Sequence, residues 1–576
     1  MRSILLIVAS LLLFISQLPA AGEYHDYEKM TKVLRRIAAE NPQIVKLESH
    51  GTTFAKRKVW EVTLASGKAD KKPAVLVVGG IEGVDLAASE MCLALIENVA
   101  NNYGKTDSIT QLLNSTTFYI FPRVNPDAAE AFWNSPRYER RLNARPMDLD
   151  HDGTVDEDGY DDLNGDGLIT MMRVTDPAGE WLADEKNPEL LRKADRSKGE
   201  EGVYKVYSEG IDNDKDGAWN EDEPGGVDFN RNFTFNYKFF SKGAGFHQVS
   251  EIETRAVADF CFAHPNIAVV FSFLHNENLM HPWKARKSAQ GTRGQQRRFS
   301  RKPITSVMPK DAPYFDHLSQ MFKKMTGFSD APQPEKGEGA FSEWAYYHFG
   351  RWSVSAPAWW PPSVKEKNDS TKSNNSKTKT ISRISKSGKK KKDTLVDERR
   401  LLKWLQISGQ SAKFVSWQEI AHPDFPGKKV EVGGFMPYVS INPPADSLAN
   451  LDDKFSRFLL YLGSQCPNVK LEGPRVEKLD KNVYRITVQV TNEGYLPTNS
   501  QMGVKSQWAR KVKVGIKLGG GQKLAAGRKM QLLDAIPGSG GSRELNWLVI
   551  GEKGSTVTVT AGSPMAGTDI QTFKLK

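Results

Sequence analysis

Two carboxylates three residues apart, Glu82 and Asp85, follow the apolar run Ala74-Val75-Leu76-Val77-Val78 and the pair Gly79-Gly80. Ligands collect at the carboxyl ends of strands in open α/β sheets, so this turn is the first candidate for a site. A second apolar run, Ile267 to Leu274, delivers His275 at its end. An imidazole there can act as acid, base or metal ligand. A different chemistry is written between residues 148 and 225. Asp212, Asp214, Asp216, Asn220 and Glu223 stand at positions 1, 3, 5, 9 and 12 of a loop with Gly217 at position 6. That spacing supplies the oxygens a calcium ion needs around a tight turn. Two related starts, Asp148 to Gly153 and Asp162 to Gly167, have Gly159 and Arg173 at their twelfth positions and so lack the closing acid. No helical pattern flanks the third loop, so it reads as a calcium-binding loop and not as a helix-loop-helix pair.

The elements that must position these groups follow from periodicity. An apolar run without polar alternation predicts a strand buried on both faces. Gly79-Gly80 lets the chain turn sharply at its end, and Cys92, Leu95, Ile96 and Val99 then fall at helical spacing. Thr117 to Phe121 predicts another strand, Ser250-Glu251-Ile252-Glu253 a capping box opening a helix through Phe260, and Leu451 to Leu462 a further helix. Beyond Cys466-Pro467 the period changes to two, in Tyr484, Ile486, Val488 and Val490, in Val512, Val514, Ile516 and Leu518, and in Val557 and Val559. Glycine-rich turns separate these runs, which predicts a small antiparallel β-sandwich.

Several segments together resemble the zinc carboxypeptidases of the carboxypeptidase A type. The strand, the Gly-Gly-Ile turn and the pair Glu82-Gly83-Val84-Asp85 resemble that family's His-Gly-x-Glu, in which His and Glu bind zinc. Asn125-Pro126-Asp127 resembles its Asn-Pro-Asp segment. Within Arg137-Tyr138-Glu139-Arg140-Arg141 the spacing makes Arg140 the counterpart of the arginine that stabilises the oxyanion. Gly226-Val227-Asp228-Phe229-Asn230-Arg231-Asn232 is the most specific match, and implies that Asn230 and Arg231 grip a peptide's terminal carboxylate. A guanidinium fork suits that task, since it meets a carboxylate with two parallel hydrogen bonds. His275 matches the third zinc ligand. The resemblance implies a carboxypeptidase-type mixed α/β sheet flanked by helices, followed by the all-β sandwich.

The chain departs from that family where the chemistry is done. Glu82, Asp85 and His275 form a two-carboxylate, one-histidine set, which tilts preference from zinc towards iron, manganese or calcium. Aligned from Gly350, the catalytic Glu falls near Pro357, and no residue from Ser353 to Trp360 is a carboxylate. Losing a general base costs a factor of roughly 10²–10⁴. Three readings follow: a poor or inactive peptidase that binds peptide C-termini, a working metallohydrolase with a rearranged site acting on peptides or cell-wall peptides, and a calcium-binding structural or adhesion protein of the envelope.

The 576 residues carry a net charge of +10, much of it in the tracts Lys284 to Lys302 and Lys365 to Lys392. Neither tract shows apolar periodicity, and Phe299 is the single aromatic in the two, which argues for solvated insertions and against a nucleic-acid stacking surface. Anionic envelope polymers are the partner class such tracts would attract. Residues 1–21 have the charged start, short apolar block and small residues of a secretory signal, predicting export to the periplasm, envelope or medium and no membrane span after cleavage. Three cysteines cannot build a disulfide framework. The expected organisation is a carboxypeptidase-like domain over 22–465, with an acidic insertion at 148–225 and basic insertions at 284–302 and 363–395, and a β-sandwich over 468–576.

Overall fold

The computed structural model describes residues 23–148, 153–156, 158–215, 217, 219–220, 225–286, 303–363 and 395–576. The predicted signal segment and nearly all of both basic tracts lie outside them.

The central sheet has six strands in the order β1 (Val45–Thr52), β2 (Lys58–Leu64), β4 (Thr117–Phe121), β3 (Ala74–Val78), β9 (Ile267–Phe273) and β10 (Trp352–Ala356). The four strands from β4 to β10 run parallel, and β2 and β1 add antiparallel at one edge. The unbroken apolar run is β3, at whose side the strand order reverses. It is buried on both faces because its alternating side chains feed two cores. Val75 and Val77 pack with Phe118 and Ile120 beneath the helices Tyr27–Glu40 (α1) and Leu86–Asn102 (α2). Leu76 and Val78 pack with Tyr119 and Phe121 against the helices Ile252–Ala263 (α3) and Phe341–Tyr347 (α4) on the other side. This is the mixed α/β sheet between helical layers that the sequence predicts. The helix expected over 451–462 is Leu448–Ser464 (α5), whose apolar face closes the first core.

The capping box does not form. Glu251 occupies the cap of α3 without a side-chain cap bond, the Ser250 hydroxyl donates to the Glu251 carboxylate, and Glu253 accepts from Asn143 Nδ2 at 3.1 Å.

The acidic insertion is more than a loop. Residues 171–208 build β5 (Met171–Thr175), β6 (Trp181–Ala183), β7 (Leu191–Lys193) and β8 (Tyr204–Ser208). These join β11 (Phe414–Ile420) and β12 (Val430–Phe435) in an antiparallel six-stranded sheet that the sequence reading did not foresee. Beyond residue 468, two antiparallel four-stranded sheets share one apolar core, in which Tyr484, Ile486 and Val488 meet Val514, Ile516, Val557 and Val559. Cys92, Cys261 and Cys466 are all buried thiols.

Candidate functional site

The site lies where β3 and β9 end side by side. Gly80 takes φ +56°, and a Cβ there would stand 2.8 Å from the Arg123 Cα. At Gly83 a Cβ would stand 2.2 Å from the Ala128 methyl and 2.9 Å from the Arg140 carbonyl oxygen. The turn therefore presses against the segment after β4, and this close approach brings the arginine cluster over Glu82. Asn125 secures that segment, donating from Nδ2 to the Arg141 carbonyl at 3.0 Å.

Because β3 and β9 are neighbours, Glu82 and His275 meet. His275 Nδ1 is hydrogen-bonded to Glu82 Oε2. The other oxygen of Glu82 pairs with Arg141 Nη2 at 3.0 Å. Burial alone would raise the Glu82 carboxyl, but Arg141 and His275 outweigh it and hold the group well below the usual carboxylate range. Burial lowers the His275 pKa, and Glu82 more than reverses this, to about 9. At neutral pH the centre is one carboxylate clasped by two cations. Asp85 is also buried. Its Oδ1 accepts from Ala88 N at 3.0 Å and caps α2, its Oδ2 is enclosed, the Ala358 backbone lies beside the carboxyl, and burial pushes it up to about 6.

These residues, as arranged, do not fit a zinc ion. Zinc requires donor atoms that converge on one point with free lone pairs. Here Glu82, Asp85 and His275 do not gather at metal-ligand spacing among the described residues, and Glu82 and His275 Nδ1 face each other and Arg141 instead of a common point. The guanidinium supplies the positive charge against Glu82.

The substrate-side residues are also distributed differently from the expectation. Arg140 turns away from the crevice, spending its guanidinium on the carbonyls of Leu142, Asn143 and Gly225 at 3.3, 2.8 and 3.1 Å. Its neighbour Arg141 reaches the site instead. Adjacent residues point to opposite sides of an extended segment, so spacing in a five-residue cluster cannot choose between them. Asn230 is buried, and its Oδ1 accepts from Phe341 N at 3.0 Å. Arg231 donates to the Lys242 carbonyl at 2.7 Å and pairs with Glu338 at 3.4 Å. At Pro357 the structure follows the sequence: β10 brings Ser353, Ser355 and Ala356 into the sheet, and no carboxylate.

A cleft of about 600 Å³ opens over this centre. Arg141 and His275 form part of its floor, Tyr138, Tyr160, Trp359 and Trp360 its aromatic walls, and Met171 and Phe435 from the second sheet one side. Glu335 reaches in from the loop before α4 and pairs with Arg141 Nη2 at 3.3 Å, while half exposed. Arg141 Nε is enclosed and has no partner. Sequence reasoning did not find Glu335, Tyr160 or the tryptophan pair, which carry no motif and are assembled by long-range folding.

In the acidic insertion the three loop starts share one hydrogen bond, from the sixth-position glycine N–H to the first-position aspartate. The distances are 3.1 Å for Gly153 to Asp148, 2.7 Å for Gly167 to Asp162 and 3.0 Å for Gly217 to Asp212. Asp158, from outside the third loop, accepts from the backbone N–H of both Asn213 and Asn220 and so ties the two ends of that loop together. Asn220 donates to the Ser208 carbonyl at 3.0 Å. Asp216 and Glu223 lie outside the described residues.

Residues 30–172 match the zinc carboxypeptidase family. Over that segment the chain is similar to zinc carboxypeptidases. Human carboxypeptidase D is 31% identical over 140 residues, which are 23% of this chain and 10% of the relative. Human carboxypeptidase B is 29% identical over 138 residues, 23% of this chain and 32% of the relative. A zinc carboxypeptidase of Saccharothrix mutabilis subsp. capreolus is 28% identical over 109 residues, 19% of this chain and 25% of the relative. The chain thus spans no more than about a third of these relatives' lengths. Among solved structures, thrombin-activatable fibrinolysis inhibitor aligns with TM-score 0.38 at 16% identity, over 59% of this chain and 68% of its own. Residues 468–574 match a domain of unknown function, DUF8731. No helix among the described residues is long and apolar enough to cross a membrane.

Proposed function

We propose that this protein is a member of the zinc carboxypeptidase family that is exported, binds the free C-terminus of a peptide in the cleft over Arg141, and hydrolyses it weakly or not at all. One observation carries the reading: the Glu335 carboxylate rests on Arg141 at 3.3 Å while half exposed at the cleft mouth. It occupies the place a peptide's terminal carboxylate would take, and a half-exposed ion pair of this kind is worth little, so it yields to a better-placed anion. The aromatic walls would cover the preceding side chains. The hydrolytic half is weak on two counts. Among the described residues the Glu82–His275–Arg141 cluster leaves no convergent donor set for a water-activating ion, and the segment from Ser353 to Trp360, where the family resemblance places the base, contains no carboxylate. Calcium in the loop from Asp212 belongs to the same proposal as a structural ion for the insertion whose sheet forms one side of the cleft.

The test is binding of a fluorescent peptide with a free C-terminus against its amidated twin. The free acid is expected to bind about ten- to a hundredfold tighter, the range for a hydrogen bond to a charged partner worth 1.5–3 kcal/mol. Glu335→Gln should tighten the free acid alone, by vacating Arg141, and Arg231→Ala should leave the discrimination in place. Equal binding of the two peptides would overturn the reading. Rapid metal-dependent release of C-terminal amino acids by the wild type would replace it with that of a working hydrolase.

A further inference from the structure

We propose that Glu48, His50 and Glu61 form a divalent transition-metal site on the outer strand pair, separate from the Glu82–His275 centre. β1 and β2 pair antiparallel with Glu48 directly opposite Glu61. His50 lies two residues beyond Glu48, where the pairing of β1 with β2 shifts register, and its imidazole comes to the same place as the two carboxylates. Two carboxylates directly opposed across a strand pair repel each other, and a bound cation removes that repulsion. One ligand atom from each of the three residues lies within 4.8 Å of the others. Metal bonds of about 2.0–2.2 Å would draw them closer by a small side-chain rotation.

Two further observations point into the same space. Glu61 is fully buried, and among the described residues the hydrogen bonds of normal length to its oxygens come from the Thr63 hydroxyl, at 2.9 and 3.2 Å. A carboxylate has about four acceptor positions and a hydroxyl has one hydrogen, so most of its capacity is unused. His50 Nε2 is enclosed without a hydrogen-bond partner and sits 3.9 Å from Glu61 Oε2. That gap is too long for a hydrogen bond and suits a bridging ion. The ring itself is held in place, edge-on to Phe260 with centroids 4.9 Å apart and tilted against Phe121 at 5.7 Å. Lys46 pairs with Glu48 at 2.7 Å, but both side chains are exposed, so that pair gives way at little cost.

One imidazole nitrogen and two carboxylates suit zinc, manganese, cobalt or ferrous iron better than calcium. Three protein ligands leave coordination positions open. His50 also lines a shallow cavity of about 420 Å³ with Asp259 of α3 and His264 just beyond the end of that helix, which gives an ion a path from solvent. The site belongs to the sheet edge, with β4 between β2 and β3, the strand that leads into the turn of Glu82.

The probe is cobalt(II) added to full-length protein after chelation, with calcium present to fill oxygen-only loops, read by visible absorption. One equivalent with ligand-field bands characteristic of nitrogen and carboxylate donors is expected, displaced by zinc. His50→Gln should abolish the bands and Glu48→Gln, at the exposed rim, should weaken binding at least tenfold. His275→Gln should leave them unchanged. No cobalt spectrum, a spectrum intact in both strand variants, or one lost in His275→Gln alone would overturn the assignment. Should His50→Gln fail to fold, Glu48→Gln with His275→Gln decides the matter.

Discussion

Replacing Glu82 by Gln removes the one anion between Arg141 and His275 while keeping its shape. Removing one partner of a buried ion pair costs about 3–5 kcal/mol. Here two cations lose their partner, but Arg141 keeps Glu335 at 3.3 Å and His275 can shed its proton, so the loss at neutral pH should fall near the lower end, about 3 kcal/mol. The pH dependence is the sharper test. His275 is raised to about 9 by Glu82, against about 6.5 for free histidine. Its contribution is complete below about pH 6.5 and is lost as the pH rises through about 9. Glu82 is held below the usual range, so its contribution is complete above about pH 4.3 and is lost as the pH falls. Urea unfolding of wild type and Glu82→Gln should therefore show the widest stability gap between about pH 5 and 6.5, narrowing through pH 9. The double variant Glu82→Gln, His275→Gln should cost less than the sum of the singles, because each removes the same pair. A gap that stays flat from pH 6 to 10, or that widens with pH, would refute the ion-pair account of this centre.

Calcium should raise the melting temperature, by an amount equivalent to about 2.7 kcal/mol at a hundred times its Kd, and Glu223→Gln should remove that response. Gly83→Ala should destabilise by about 1–3 kcal/mol, the usual range for overpacking, because the new methyl meets Ala128 and the Arg140 carbonyl, and far-UV melts will register it. Mass spectrometry of protein recovered from its native host should find residues through about Ala21 removed, and an intact Met1 would contradict export.

The sheet and its helices were legible in the sequence because their causes are local. Ala74 to Val78 and Ile267 to Phe273 are apolar without alternation, and only a strand covered on both faces accommodates that. The β-rich end was legible for the opposite reason, strict alternation in Tyr484, Ile486 and Val488. Motif spacing also placed Glu82 and His275 at strand ends, because a residue following a strand has nowhere else to go. What spacing could not decide was which donors face one another. Arg140 and Arg141 are equivalent in the sequence, and only the packing of Gly83 against Ala128 and the tether from Asn125 send Arg141 to Glu82. The pairing of 171–208 with 414–435 depends on contacts more than two hundred residues apart, which leave no mark in either segment alone. The Glu48–Glu61 opposition is likewise a matter of strand register. Sequence periodicity sets which face a residue occupies, and tertiary structure sets what stands across from it.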